Sequence, residues 1–336
     1  MHPTLKNIAS EAKVSIKTVS RVVNNDPKVS KSTRKMIQEI IETRGYKPNL
    51  IARGLKKRKT NTIGFIVPDI GNPSFTEIVK GCTDVFDKNG YYVFLGSSEN
   101  NPQKEIDIIK DLISMLIEGI ILIPATTVDR DLTFFSKIKC PLVILDREID
   151  GLDKDKVVLS NKKSAYDATK LLLENGCKKI VIFGGLHSAK TAQKRFEGFK
   201  QAMDENNLFS EELVFWGDFS IDAGYKMMKE ALIRFGNDID AVFACNDLIA
   251  LGAINAIKEH KLKIPEDISL IGFDDMFFSA YLNPPLTTVH IPFNDEGAIA
   301  AKLLLKKIKK PEDKNIERII VDTRIIIRES VNIKKK

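Results

Sequence analysis

Along the first 46 residues, apolar positions recur every three or four places; from residue 62 they gather into short solid runs. The two rhythms predict two kinds of structure. In TLKNIASEAKVS, Leu5, Ile8, Ala9 and Ala12 form the apolar face of a helix, with Thr4 placed to cap it. A break at Lys13-Val14 precedes VSIKTVSRVVNN, a second short helix capped by Ser15, with Val19, Val22 and Val23 facing a core. A third helix runs from about Ser30 to Thr43, with Met36, Ile37, Ile40 and Ile41 inward, Thr33 and Glu39 outward, and Gly45 after its end. Helix, tight turn, helix and bracing helix is the helix-turn-helix order.

The later runs are TIGFIV, YYVFLG, GIILI and PLVIL, followed by a second set, KVVLS, KIVIFGG, LVFWG, AVFACN and ISLIGFDD. Helical stretches separate them. Strands alternating with helices predict parallel sheets covered on both faces. Two such sets in series predict two doubly wound lobes, so the fold class is α/β behind an all-α head.

Charge sharpens the division. The chain carries +7 overall, but residues 1–60 hold 15 Lys and Arg against 4 Asp and Glu, a local +11. The remainder is mildly acidic. A folded basic head favours a polyanionic partner, whereas a solvated basic tail would have neither apolar anchors nor helical spacing. No apolar run reaches the roughly 18–20 residues that span a bilayer. MHPTLKNIASEA has no apolar core of the signal-peptide kind, so a cytoplasmic location is expected. Cys82, Cys140, Cys177 and Cys245 are scattered without a CxxC pair, and His2, His187, His260 and His290 are isolated. Reduced thiols, no metal site and no cofactor are the expectation.

The second helix turns Lys17, Ser20, Arg21 and Asn24 outward. Such a helix fits the major groove, where Arg21 can donate a bidentate pair to guanine and Lys17 can reach guanine or phosphate. Ser20 and Asn24 can bond base edges or phosphates. In the α/β part, polar residues follow the strands: Asp69 and Asn72, Asp146 and Arg147, Asn246 and Asp247, Asp274 and Asp275. Any one of these can be a helix cap. Four such junctions at strand carboxyl ends also match where doubly wound sheets hold ligands.

TLKNIASEAKVSIKTVSRVVNN followed by VSKSTRKMIQEIIETRGYKPNLIARGL closely resembles the DNA-binding module of the lactose/galactose repressor (LacI/GalR) family, and the resemblance continues through almost the whole chain. It implies a helix-turn-helix domain at 1–47, a hinge helix at 48–60 and a periplasmic-binding-protein-like core at 61–336. The two lobes of that core are expected at about 61–158 plus 291–318 and at 159–290 plus 319–330. The hinge segment LIARGL makes barely two turns, and Gly54 weakens it further, so it should fold only with help. In relatives two hinge helices meet in the minor groove and a leucine wedges into the central base step; here that residue is Leu55. Lys56, Lys57, Arg58 and Lys59 can neutralise flanking phosphates. The candidate DNA contacts are Leu5, Ile16, Lys17, Ser20, Arg21, Asn24, Ser30, Thr33, Asn49, Ala52 and Leu55.

By motif, the resemblance also implies a ligand cleft lined by Asn72, Phe75, Asp146, Arg195, Phe219, Asn246 and Asp274. The sequence departs from the family at Ser74, where a second aromatic is common, at Ser160-Asn161, where an Asp often precedes the Asn, and at Ile291, where a polar residue is common. The fold is unaffected; the ligand is left open among sugars, sugar phosphates and nucleoside-like molecules. The implied partners are operator DNA, a small-molecule effector and a second copy of the chain. A variant of this reading resembles catabolite-control-type regulators, which take a phosphorylated phosphocarrier protein as co-repressor, with Lys302 and its helix DEGAIAAKLLLKKI as the contact.

Other classes fit less well. FGGLHS is glycine-rich but is not the GxGxxG of a dehydrogenase, and the sparse histidines supply few general bases. A secreted solute receptor would not need the basic head, and a nucleoid protein would not need a polar cleft.

Overall fold

A computed structural model describes residues 3–46, 60–125 and 132–333. The chain divides into two compact units, Met1–Thr60 and Asn61–Lys336. The first holds α1 (Leu5–Glu11), α2 (Ile16–Val23) and α3 (Lys31–Thr43). Each begins at a side-chain cap: Thr4 in a reciprocal capping box with Asn7, Ser15 accepting from Thr18 N, and Ser30 accepting from Thr33 N. Helices this short are marginal alone and persist by burying a shared core. Ile8, Ala9, Ala12, Val19, Val22 and Ile37 form it, with Val23, Ile40 and Ile41 packed at its rim. Met36, expected inside, is instead exposed, because so small a core is already filled by Ile37 from that turn of α3.

The second unit contains two six-stranded sheets. The first has the order β11-β5-β4-β3-β1-β2, where β1 is Thr62–Val67, β2 Tyr92–Ser97, β3 Gly119–Leu122, β4 Leu142–Asp146, β5 Asp155–Leu159 and β11 Arg318–Val321. The second has the order β12-β10-β9-β8-β6-β7, with β6 Ile180–Gly184, β7 Val214–Trp216, β8 Ala241–Ala244, β9 Ser269–Asp274, β10 Thr287–His290 and β12 Arg324–Ile326. Neighbouring strands run parallel, except that β12 lies antiparallel to β10. The segment KVVLS, grouped with the second set on sequence order, is β5 and pairs with β4 and β11 of the first sheet. β10, β11 and β12 were not among the apolar runs, since Thr, Arg or His interrupts each; they are recruited by neighbours distant in sequence.

The helices of this unit are α4 (Pro73–Lys88), α5 (Pro102–Ser114), α6 (Leu132–Ser136), α7 (Asn161–Glu174), α8 (Lys190–Asp204), α9 (Ile221–Phe235), α10 (Asp247–Glu259) and α11 (Phe293–Lys309). The chain crosses between the lobes three times: after β5, after β10 and between β11 and β12. The last crossing falls after Val321, a few residues beyond the expected 318, because β11 must run alongside β5 before the chain leaves.

Glycines set the separation of three helix pairs. A Cβ on Gly252 of α10 would lie 2.0 Å from Ile221 O, and one on Gly224 of α9 would lie 2.1 Å from Ile249 O. Gly81 and Gly297 play the same part between α4 and α11, and Gly198 between α7 and α8. The contact is backbone against backbone, so no rotamer change can relieve a side chain there. Gly252→Val is expected to destabilise the core by at least about 1–3 kcal/mol, the usual range for overpacking, and to lower the urea midpoint. An unchanged midpoint would mean that the α9–α10 spacing is not fixed by this contact.

Candidate functional site

The outward face of α2 and the junction of the two lobes each gather the polar residues singled out above. In the head, Lys17 and Asn24 are exposed, while Ser20 and Arg21 are half-buried. Asn24 Nδ2 donates to Ser20 O at 2.6 Å, and Arg21 Nε lies 3.6 Å from an Asp26 carboxylate oxygen. The face is thus held by light, breakable contacts and remains able to donate. Ile16 stands half exposed at the start of α2, and Leu5 packs at the head core. Ser30 and Thr33 are joined at the start of α3, Ser30 Oγ to Thr33 Oγ1 at 2.8 Å. Asn49, Ala52, Leu55 and the basic run Lys56–Lys59 lie outside the described residues.

In the core, Asn72, Phe75, Asp146, Arg195, Phe219, Asn246 and Asp274 all line one pocket. They come from α4 and β4 on one side and from α8, β9 and the loops after β7 and β8 on the other. The pocket's free volume is about 20 Å³, room for a single water. It adjoins a mouth of about 300 Å³ that includes Asp69, Asn100 and Asp218.

Arg195 fills the centre. Its Nε donates to Asn161 Oδ1 at 2.8 Å, its Nη1 donates to Cys245 O and lies 3.4 Å from Asp274 Oδ1, and its guanidinium sits 3.8 Å from the centroid of the Phe273 ring. Opposite, Arg147 Nη1 donates to Pro124 O and Ala125 O at 3.2 and 3.3 Å, and its Nε stands 3.9 Å from an Asp146 oxygen. Burial pushes the Asp146 carboxyl up, against the pull of Arg147 and Arg195. Burial likewise raises Asp274 well above the carboxylate range, with Arg195 opposing. Both aspartates end a strand in left-handed backbone, at φ 62° and 109°, which turns each side chain out of the sheet at the junction.

Asn72 and Asn246 do two things at once. Asn72 Oδ1 accepts from Ser74 N at 3.1 Å and Asn246 Oδ1 accepts from Ile249 N at 2.8 Å, so each is a helix cap that also lines the pocket. The FGGLHS segment proves to be a seat for an aromatic ring: a Cβ on Gly185 would lie 2.1 Å from the Phe219 ring. Arg147, Ser74, Thr191 and Phe293 also line the pocket but were absent from the expected set. Arg147 had a signal, its place directly after a strand; Thr191 and Phe293 had none, because each reaches the pocket only through a helix start set by tertiary packing. Asp247 and Asp275 do not join it. Asp247 accepts from Ser279 Oγ, Met276 N and Thr288 Oγ1. Asp275 meets Arg328 at 2.6 Å and His290 at 2.9 Å beside the crossing after β10.

Residues 4–49 match the family described as bacterial regulatory proteins, lacI family, and residues 169–331 match the periplasmic binding protein-like domain. The HTH-type transcriptional repressor PurR of Aliivibrio salmonicida is 35% identical over 98% of this chain and 99% of its own length. The chain belongs to the LacI family. Catabolite control protein A of Priestia megaterium is 34% identical, over 92% of this chain and 94% of its own. Among solved structures, the transcriptional regulator CelR–cellobiose complex superposes with a TM-score of 0.75 at 28% identity, covering 98% of this chain and 99% of that one. A LacI family regulator from Enterococcus faecium with bound ribose superposes with a TM-score of 0.72 at 29% identity, covering 82% and 100%. This LacI-family chain is a DNA-binding transcriptional repressor with a ligand-binding core, and not an enzyme. Among the described residues, no helix is long and apolar enough to cross a membrane.

Asp247 makes the core's stability depend on pH. Burial pushes its carboxyl up to about 6, and its three donors only partly offset this. The folded state therefore holds the proton more tightly than the unfolded chain does. Its contribution is complete below the ordinary carboxylate range and is lost as pH rises through about 6. Asp247→Asn is expected to flatten the fall in unfolding free energy between pH 4 and 7, a fall to which Asp247 contributes about 3 kcal/mol in the wild type. Urea titrations at several pH values check this, and an equal slope in both proteins would rule the group out.

Proposed function

We propose that two copies of this chain bind a palindromic operator and that a small polar effector held between the lobes controls that binding. What best supports the effector site is that all seven motif residues, drawn from both lobes, line one pocket. The void of about 20 Å³ opens onto the adjoining space of about 300 Å³ that Asn72, Phe75 and Phe219 also line, so a small ligand would enter there and press on the junction of the two lobes. Arg195, Asp274, Asn246 and Asp146 would then bond the ligand, with Phe75 and Phe219 against its apolar faces. Arg21 and Lys17 read bases in the major groove; Ser20, Asn24, Ser30 and Thr33 bond bases or phosphates, and Leu5 and Ile16 pack against the backbone or a base edge.

Lobe movement displaces β1, and β1 follows directly on the hinge segment that carries Asn49, Ala52 and Leu55. A marginal helix needs only a few kcal/mol of bias to switch between folded and unfolded. The dimer reading is supported by exposed apolar residues: Tyr92, Phe94 and Leu95 on the edge strand β2, and Phe277 and Tyr281 on the other lobe. Paired subunits would place two heads one DNA turn or more apart.

Two substitutions test the two ends of the chain. Arg21→Ala should weaken operator binding by about 1–3 kcal/mol and relax specificity at one base pair per half-site. An unchanged ratio of operator to random-DNA affinity would exclude base reading by Arg21. Arg195→Ala should remove the effector's influence on operator binding while sedimentation still reports a dimer. A wild-type response would exclude the cleft as sensor.

A second reading has its own support. Lys88, Lys302, Lys306, Lys309 and Lys310 line a groove of about 650 Å³ between α4 and α11. Such a basic surface suits a phosphorylated phosphocarrier protein acting as co-repressor. If it does, Lys302→Glu should abolish any gain in operator affinity on adding the phosphorylated carrier; a carrier that changes nothing in the wild type would dismiss this reading.

A further inference from the structure

The turn after β4, in the first lobe, and the first turn of α8, in the second, meet in an ion pair. Lys190 Nζ donates to Asp150 Oδ2 at 2.5 Å. Each partner stands on a fixed backbone. Asp150 lies between Ile149 and Leu152, both buried in an apolar cluster of the first lobe, and Leu152 N donates back to Ile149 O at 3.3 Å. Lys190 is the first residue of α8, and its neighbours Ala189, Thr191 and Ala192 are all buried.

The second lobe alone gives no reason for a lysine at that position. The first N–H groups of a helix carry partial positive charge, so a cation there is disfavoured. No acidic residue occupies the first turn of α8, and no side chain caps it. The carboxylate that meets Lys190 comes from the other lobe. An ordinary surface pair gains little, partly because two long side chains must be ordered to form it. Here the longer one is already held, with the Lys190 side chain only 18% exposed.

The pair is also built into both walls of the cleft. Asp146 and Arg147 precede Asp150 on one side, Thr191 and Arg195 follow Lys190 on the other, and these four line the pocket. Lys190 and Asp150 are not among its lining residues, so a ligand in the pocket need not touch them.

We propose that Lys190 and Asp150 form a latch between the lobes. Parting the lobes breaks the pair, so the pair sets how hard a ligand pressing on the junction must work. The latch itself requires only this geometry; its consequence for operator binding rests on the reading that lobe movement reaches the hinge. The Asp150 side chain is 70% exposed, so salt should weaken the latch.

Hydroxyl-radical footprinting of the full chain reads the parting. Phe75 and Phe293 line the pocket and are 5% and 9% exposed. Phe65 of β1 and Phe243 of β8 are buried within the lobes and report unfolding instead. Asp150→Asn should raise oxidation of Phe75 and Phe293 about two- to fivefold and leave Phe65 and Phe243 unchanged. Lys190→Asp should raise it at least as much, because two carboxylates then face each other. A carboxylate suits the start of α8, so a purely local role for Lys190 predicts no rise. Combining Asp150→Lys with Lys190→Asp should restore the wild-type level. Raising NaCl from about 0.05 M to about 0.5 M should bring the wild type towards Asp150→Asn and barely move that variant.

The proposal is overturned if either single variant oxidises like the wild type, if the double exchange fails to restore protection, or if Phe65 and Phe243 rise together with the cleft residues. A palindromic operator selected from random DNA separates the latch from its consequence. Asp150→Asn should change operator affinity by no more than the factor seen in the footprint, since a shifted balance cannot transmit more than the shift itself. Raised cleft oxidation with unchanged operator affinity would keep the latch and sink the coupling of lobes to head. Changed affinity with an unchanged footprint would sink the latch.

Discussion

The burial of Arg195 is the constraint around which the core is arranged. A guanidinium taken out of water must be met by acceptors or by a π face, and here it is met by groups from separated stretches of chain: Asn161, Cys245 O, Asp274 and the Phe273 ring. Asn161 begins α7 directly after the first crossing, and Asp274 ends β9. One side chain therefore ties the start of a crossing to two strand ends. The arrangement is tight but uneven, since Asp274 Oδ1 rests on a long 3.4 Å ion pair to Arg195 Nη1.

In the proposed response to an effector, the rest of the core would convert a change at that junction into movement of whole lobes. Parallel sheets covered on both faces do not bend easily, and the helix pairs α4–α11, α7–α8 and α9–α10 are locked at backbone contact by glycine. The compliant parts are the three crossings. Around them the charged groups are paired: Asp275 with Arg328 and His290 near the second, and Lys307 with Asp155, Asp313 and Glu317 where α11 returns to β5 and β11. Lys307 is nearly buried, so these pairs hold the end of α11 against the first sheet while its beginning, with Phe293, reaches the cleft.

The head works on a different economy of scale. Its three helices are each too short to stand alone, and a handful of aliphatic side chains holds them together. Most of its apolar side chains are spent on that core, with Ile16 and Met36 left exposed, and the rest of the outward face of α2 is polar. The caps at Thr4, Ser15 and Ser30 fix where each helix begins, and so fix which residues of α2 turn outward.

The sequence by itself determined the head helices, most of the strands and most of the cleft's membership. Periodicity marked the three head helices and the long strands because helix and strand each impose a spacing on apolar residues within a few turns of chain. Motif resemblance then named the seven cleft residues, which the tertiary structure brings to one pocket. What periodicity could not carry was anything set between distant segments. β5 joined the first sheet and β11 delayed the last crossing, because strand pairing is decided by neighbours far away in sequence. Met36 turned outward because its core had no room left. Thr191 and Phe293 reached the cleft by the placement of helix starts. Asp247 and Asp275 had the same local signature as Asp146 and Asp274, yet the fold turned the first pair to internal donors and the second to the junction. Nothing in the sequence set Glu296 apart; only the burial of the first turn of α11 removed its water and left its oxygens without a hydrogen bond among the described residues.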